Sequence, residues 1–488
     1  MKIARGMLVT LAMIGCGGNP ETTSGSSSGS GGGAASGSSS SGSGGGGGSV
    51  QQPLDPEIIE MVGQVSAPNL TNSITKLSSI TTRNLCSDNS PGSDAIGGAR
   101  DWIQAQFTAI GGLTVKLDPF TYNNCAPMTI TRENVVAWKL GSGHPERLIV
   151  IGGHYDSRTL NVYDGISAAP GANDSGSQTS LVLEAARVMS KYTFDATVVF
   201  IAFAGEEQGL VGSRAFSVGY GKYFAAGATV EAMFNNDIVG GDNSVNDATT
   251  LQQFRLYSPG TPREIAGPEG TTDDTSPSRG MMRQIASAGG AYMPSMTIVP
   301  KLREDRPMRG SDHEAFIEQT YPAVRFIETV ESPNAGTVQS HQHSPNDLLM
   351  YVTPDYAARI TQVVIASAAS LARAPAPPAM INVTGSATGP VTVGWAAPKS
   401  GVAVDHYVVA GRATTENFYH TRVSVPASAT SRDVTAADLG ISGAPAFFVS
   451  VAAVDADGHE SLFAYPEYRC DSAGCAVQAG SLNLTATK

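Results

Sequence analysis

The run Arg147-Leu148-Ile149-Val150-Ile151-Gly152-Gly153-His154-Tyr155-Asp156 decides how this chain folds. An apolar run bounded by two glycines fits a strand covered on both faces by helices. The polar groups just past its carboxyl end then fall where open α/β sheets bind their ligands. Thr197-Val198-Val199-Phe200-Ile201-Ala202-Phe203 repeats the pattern and leads into Ala204-Gly205-Glu206-Glu207. Val230 to Phe234 repeats it again ahead of Asn235-Asn236-Asp237. Between the first two runs, Gly171-Ala172-Asn173-Asp174-Ser175-Gly176 precedes a helical pattern from Ser177 to Tyr192, with Leu181, Ala185, Val188 and Tyr192 in register. A carboxylate at a helix N-terminus is favoured in its ionised form. The predicted fold is α/β: a central, mostly parallel mixed sheet flanked by helices.

The polar residues at these strand ends have a common chemistry. In chain order they are His154, Asp174, Glu206 with Glu207, Asp237, and then His343 in His343-Ser344-Pro345-Asn346-Asp347. Imidazole and carboxylate are zinc ligands. A two-metal site holds its ions about 3.5–4 Å apart, and needs a bridging carboxylate plus further ligands on each ion. His154, Asp174, Glu207, Asp237 and His343 meet that need, and Glu206 is left over as a base for water. Any one of these acids alone reads as a helix cap or a solvated loop charge; the ordered set does not. His341, two residues before His343, stays open as an alternative ligand. His313-Glu314-Ala315-Phe316-Ile317 begins like a two-histidine zinc helix but ends on Ile317, so the second ligand is missing.

The stretch from about Gln52 to Leu371 resembles the co-catalytic di-zinc exopeptidases of the bacterial leucyl aminopeptidase type, relatives of the glutamate carboxypeptidases and glutaminyl cyclases. The resemblance is carried by His154-Tyr155-Asp156-Ser157, Pro170-Gly171-Ala172-Asn173-Asp174, the segment from Ala204-Gly205-Glu206-Glu207 to Ser213, and Ser311-Asp312-His313. It implies two zinc ions bridged by Asp174, with His154 and Asp237 on one and Glu207 and His343 on the other. It implies Glu206 as base, Asp156 as the carboxylate orienting the His154 ring, and Arg309, Asp312 and His313 as pocket or supporting residues. The activity it implies is removal of residues from peptides or proteins with a free N-terminus. A carboxypeptidase, a glutaminyl cyclase and a non-catalytic surface adhesion protein are the alternatives. A carboxylate-rich face attracts an ammonium group. A carboxypeptidase needs a cationic clamp instead, for which Arg303, Arg306 and Arg309 are placed.

The ends of the chain bear on location. Residues 1–15 read as a signal peptide, with a basic start and an apolar run from Met7 to Ile14 that is too short to span a bilayer. Ala12-Met13-Ile14-Gly15-Cys16 resembles a bacterial lipoprotein cleavage box, which makes Cys16 a candidate lipid anchor; export to the outer membrane or plain secretion follows. Residues 16–50 are a Gly/Ser-rich flexible linker, a coil with a reach of roughly 30 Å. Beyond Cys16, four cysteines remain: Cys86, Cys125, Cys470 and Cys475. Cys86 with Cys125 and Cys470 with Cys475 is the most local of the three pairings they allow. The net charge of -12 without a basic cluster disfavours nucleic acid as a partner. A peptidase domain is expected over 51–374. It closes on a helix that starts at Thr353-Pro354-Asp355 and keeps helical spacing to Leu371. Short alternating strands at Val391–Trp395, Asp405–Gly411 and Phe447–Val454 then resemble a fibronectin type III β-sandwich over 375–468, with Trp395 in its core. Residues 469–488 read as a C-terminal tail.

Overall fold

The computed structural model describes residues 54–125, 129–260, 276–305, 309–333, 340–379 and 381–477. The expected signal peptide, Cys16 and the Gly/Ser linker lie outside these residues, as does Arg306.

The first part of the described chain runs α1 (Pro56–Gly63), α2 (Ala67–Ser78), α3 (Ile96–Ile110), β1 (Thr114–Tyr122), β2 (Ile130–Lys139), β3 (His144–His154), α4 (Gln178–Met189) and β4 (Ala196–Phe203). It continues with α5 (Val211–Gly219), β5 (Thr229–Asn236), β6 (Gln253–Tyr257), α6 (Pro277–Tyr292), β7 (Thr297–Lys301), α7 (His313–Ile317), β8 (Ala323–Glu328) and α8 (Pro354–Arg373). The eight strands form one sheet in the order β1-β2-β4-β3-β5-β8-β6-β7. Its centre, β4-β3-β5-β8, is parallel throughout, and antiparallel pairs occur only toward the two edges. This is the mixed α/β sheet that the apolar runs predicted.

Alternate residues of the central strands face two different cores. Val135, Ile149, Ile151, Val198, Phe200 and Phe234 pack with apolar residues of α1, α3, α4, α6 and α8. Val136, Leu148, Val150, Val199, Ile201 and Met233 pack with Phe216 of α5 and Phe316 of α7. Both faces are therefore dry, which is why these strands read as continuous apolar runs. The register sets His154 opposite Phe203 and Gly152 opposite Asn235. The carboxyl ends of β3, β4 and β5 thus lie side by side, and the motif residues emerge there together.

The strands after α8 are β9 (Ile381–Gly385), β10 (Val391–Trp395), β11 (His406–Ala413), β12 (Arg422–Pro426), β13 (Ser431–Val434), β14 (Phe447–Val454), β15 (Tyr468–Asp471) and β16 (Gly474–Val477). They make two antiparallel sheets, β13-β10-β9 and β12-β11-β14-β15-β16. Val391, Val393 and Trp395 of one share a core with Tyr407, Val409, Phe447, Val449 and Val451 of the other. Trp395 is buried against Tyr407, with ring centroids 5.1 Å apart, as its core assignment requires. The ordered sheet runs past residue 468: the β15–β16 hairpin occupies the start of the stretch read as a tail, and the Cys470–Cys475 disulfide ties it. Residues 469–477 carry too few large apolar side chains to read as strands, and the hairpin is held by its pairing with β14. Cys86 is bonded to Cys125, so both local pairings form.

Candidate metal centre

Asp174 sits on an irregular turn, Ala172–Ser177, that feeds into α4. Gly171 starts it in the left-handed region (φ +51°), where a Cβ would meet the Asp174 carbonyl oxygen at 2.5 Å and Arg83 Nη2 at 2.8 Å. Buried Arg83 fixes this turn by donating to the carbonyl oxygens of Leu77, Tyr155, Pro170 and Gly171, at 2.6–2.9 Å. The Asp347 carboxylate accepts the N–H groups of Asn173 (2.8 Å) and Asp174 (2.9 Å), which joins the turn to the His343 loop.

The five residues read as ligands converge as two triplets that share one member. His154, Asp174 and Asp237 form the first; Asp174, Glu207 and His343 form the second, and within each the ligand atoms lie inside 4.8 Å of one another. His154 Nε2 is 3.3 Å from Asp174 Oδ1 and 3.5 Å from Asp237 Oδ1. His343 Nε2 is 3.1 Å from Asp174 Oδ2 and 3.3 Å from Glu207 Oε1. Among the described residues, Asp174 Oδ1 and Glu207 Oε1 find no hydrogen-bond donor although both are buried. A buried carboxylate oxygen without a hydrogen bond is costly unless a cation meets it, and a nitrogen–oxygen set of this kind fits zinc. His341 lies outside the triplets: it bonds to Asp242 at 2.9 Å and stacks on Tyr351.

The electrostatics are those of a site built for positive charge. Burial works against the charged form of His154, yet the carboxylates of Asp156, Asp174 and Asp237 hold its ring well above the ordinary range. For His343, Glu207 and Asp174 outweigh burial and push it to about 9. The Glu206 carboxyl is raised well above the usual carboxylate value by burial, with Glu207, Asp237 and Asp312 adding repulsion against the opposing pull of His154. That direction suits a group that must both accept and return a proton.

Supporting contacts surround the triplets. Asp156 accepts the backbone N–H groups of Glu206 and Glu207, both at 3.2 Å, and its Oδ1 lies 3.5 Å from His154 Nδ1. Arg325 pairs with Asp237 at 2.9 Å, Arg158 pairs with Glu207, and Gln342 donates to Asp174 Oδ2 at 3.1 Å. Arg325, Arg158, Gln342, Asp347 and Arg83 were missed in the sequence. The signal available was a lone arginine inside the apolar strand Ala323-Val324-Arg325-Phe326-Ile327, since a charge in such a strand needs a buried partner.

A cavity of about 620 Å³ opens over the site and is lined by His154, Asp174, Glu206, Glu207, Asp237 and His343 among others. Arg309 is also in its wall, paired with Glu331 at 2.8 Å. Asp312 and His313 are not: they are buried behind the wall, with burial pushing Asp312 up to about 7 and His313 down to about 3. Arg303 bonds to the carbonyls of Glu304 and Asp305 and does not line the cavity. Among the described residues, four non-glycines have left-handed backbone, and three of them, Leu210, Ile238 and His343, line this cavity. Such strain concentrates at working sites.

Comparison with known proteins gives the class. Residues 134–368 match the model of Peptidase family M28. A protein from Pyrenophora teres f. teres named "Probable zinc metalloprotease" is 36% identical over 366 residues, covering 70% of this chain and 73% of its own. One of the same description from Leptosphaeria maculans is 34% identical, covering 74% and 87%. The chain belongs to Peptidase family M28 and is a zinc metallopeptidase. The solved LapA aminopeptidase of Legionella pneumophila is similar at 21% identity and a TM-score of 0.48, over 66% of this chain and 76% of that one.

Proposed function

We propose that the protein is an exported two-zinc aminopeptidase that removes residues from the free N-terminus of peptides. The observation that carries this reading is the sharing of Asp174 by two ligand triplets, with Glu206 in the wall of the same cavity. His154 and Asp237 would hold one zinc and Glu207 and His343 the other, with Asp174 as the ligand common to both triplets. When bound, the ions polarise a peptide carbonyl and make a water molecule more acidic. Glu206 accepts the proton of that water on its carboxylate and returns it to the departing amine. Asp156 keeps the Glu206-Glu207 backbone in place through two hydrogen bonds and orients the His154 ring. Arg325 and Arg158 hold the outer oxygens of Asp237 and Glu207, which leaves Asp237 Oδ1 facing His154 and Glu207 Oε1 facing His343, while Gln342 steadies Asp174 through the oxygen that also faces His343.

The carboxylates of Asp174, Glu206, Glu207 and Asp237 in one cavity support recognition of an α-ammonium group. The two disulfides support export, since such bonds persist in oxidising compartments. Anchoring through a lipidated Cys16 and a fibronectin type III-like role for the two C-terminal sheets belong to the same reading. Arg309 in the cavity wall favours one competitor, a carboxypeptidase that clamps a substrate carboxylate. Zinc analysis and two peptides separate the readings. We expect two zinc ions per chain, trimming of a C-amidated peptide from its free N-terminus, and sparing of an N-acetylated one. The reverse peptide pattern assigns the enzyme to the carboxypeptidases.

A further inference from the structure

The cavity has a second acidic wall that the proposed chemistry does not use. Glu304, in the loop after β7, and Glu314, in α7, both line it. They are only 3 % and 4 % exposed. Their carboxyl groups lie within hydrogen-bonding reach of each other. Gly310 makes room for this arrangement: a Cβ there would fall 1.7 Å from Glu314 Oε1. Yet Glu314 Oε1 and Glu304 Oε2 have no hydrogen-bond partner among the described residues. The arginines of the same cavity are engaged elsewhere: Arg214 with Glu318 at 2.7 Å, Arg325 with Asp237 at 2.9 Å, Arg309 with Glu331 at 2.8 Å, and Arg158 with Glu207. Arg325 and Arg214 act on Glu314 only through their charge; two adjoining buried carboxyls with unbonded oxygens are costly to the fold, and their position in a substrate cavity gives that cost a use.

We propose that Glu304 and Glu314 form a subsite for a cationic side chain, the ammonium or guanidinium of a Lys or Arg at the substrate's N-terminus. This rests on the aminopeptidase reading. The α-amine is one atom from the scissile carbonyl, so it stays with the carboxylates around Glu206. Glu304 and Glu314 line the same cavity but belong to neither ligand triplet. The pair therefore receives the other end of the residue. Burial and the Glu304 carboxyl push Glu314 up to about 8 against the opposing pull of Arg325 and Arg214, so Glu314 holds a proton near neutrality when the subsite is empty. A basic side chain displaces that proton. Its preference over a neutral side chain then grows as pH rises toward about 8.

The test uses the full zinc-loaded chain and the p-nitroanilides of Lys, Arg, Leu and Glu. We expect kcat/KM for Lys and Arg to exceed that for Leu by about 10- to 100-fold, the usual worth of a charge-assisted hydrogen bond to a buried group. Glu314→Gln and Glu304→Gln should each remove most of that advantage through KM and leave Leu within about twofold. The Lys/Leu ratio should rise from pH 6.5 to 8.5 in the wild type and be flat in Glu314→Gln; taking a ratio cancels the titration of the α-amine and the metal site. L-lysinamide should bind more tightly than L-leucinamide by calorimetry, and Glu314→Gln should erase the difference. Equal hydrolysis of Leu and Lys with equal binding of the two amides overturns the subsite and leaves the aminopeptidase reading intact. No hydrolysis of any free-amine substrate, with trimming of acetylated peptides from the C-terminus, overturns both. If either Gln variant fails to fold, the other carries the same expectation.

Discussion

Asp156→Asn puts the logic of the site to its sharpest test, because the change keeps the shape and removes one acceptor and one charge. Asp156 Oδ1 accepts the Glu206 N–H and Oδ2 the Glu207 N–H, both at 3.2 Å. Asparagine offers one oxygen, so whichever way its amide turns, an NH2 faces one of these buried N–H groups. Leaving one such donor unpaired costs about 1–3 kcal/mol. Denaturant unfolding of the chelator-treated proteins should show a loss of that size. The lost charge acts separately on His154, whose Nδ1 bonds to the Asp156 backbone carbonyl at 3.1 Å, a contact the variant keeps, and lies 3.5 Å from Asp156 Oδ1. Partners of this kind behind a metal-binding histidine are typically worth about 10- to 100-fold in metal affinity or activity. Competition with a chromophoric zinc chelator should show the ion at the His154 triplet weakened by that factor, with a matching fall in kcat/KM on a peptide substrate. A variant that loses stability but keeps wild-type zinc affinity and kcat/KM would make Asp156 a brace for the Glu206-Glu207 turn alone. A variant unchanged in all three would refute the reasoning.

Further expectations follow from the same contacts. Glu206→Gln should retain both zinc ions and lower kcat by about two to four orders of magnitude; zinc loss from this variant, measured by elemental analysis, would make Glu206 a ligand. Asp174→Ala should deplete both ions and His343→Ala mainly one, while His341→Ala, which breaks contacts to Asp242, Ser244 and Tyr351 but to no ligand residue, should keep both. At the contact between the C-terminal sheets and α1, His459 Nδ1 is 2.8 Å from Asp455 Oδ2 and its Nε2 is 2.9 Å from Asp55 Oδ2. Only the doubly protonated ring donates to both, and these carboxylates outweigh burial to raise its pKa above 6.5. A raised folded-state value means the stabilisation is complete below about 6.5 and is lost as pH rises through that higher value. Thermal unfolding should therefore show a loss of stability above neutrality that is absent in His459→Gln; an identical pH slope in both proteins would remove His459 from the account.

How much of this was legible in the sequence depended on whether a residue's partner is local. The strand runs at 147–151, 197–203 and 230–234 could be read because burial on both faces removes the polar residues that would blur them. His154, Glu206, Glu207 and Asp237 follow directly from those strand ends, so placing the strands placed the residues. His343 could not be separated from His341 on the same terms. Both lie in one loop, and what divides them is the direction of each ring, set by Asp242 and Tyr351 on one side and Asp174 and Glu207 on the other. Arg325, Arg158, Gln342 and Asp347 stayed hidden for a related reason: each acts on a residue at least 49 positions away, and no short motif encodes such a pair. Asp156 shows the two cases in one side chain. Its link to His154 spans two residues and was read from the motif. Its grip on the Glu206 and Glu207 amides, 50 residues on, needed the sheet to bring β3 beside β4. The identities of the acids at the strand ends thus set the reaction class, while the groups that aim them are fixed by the strand order.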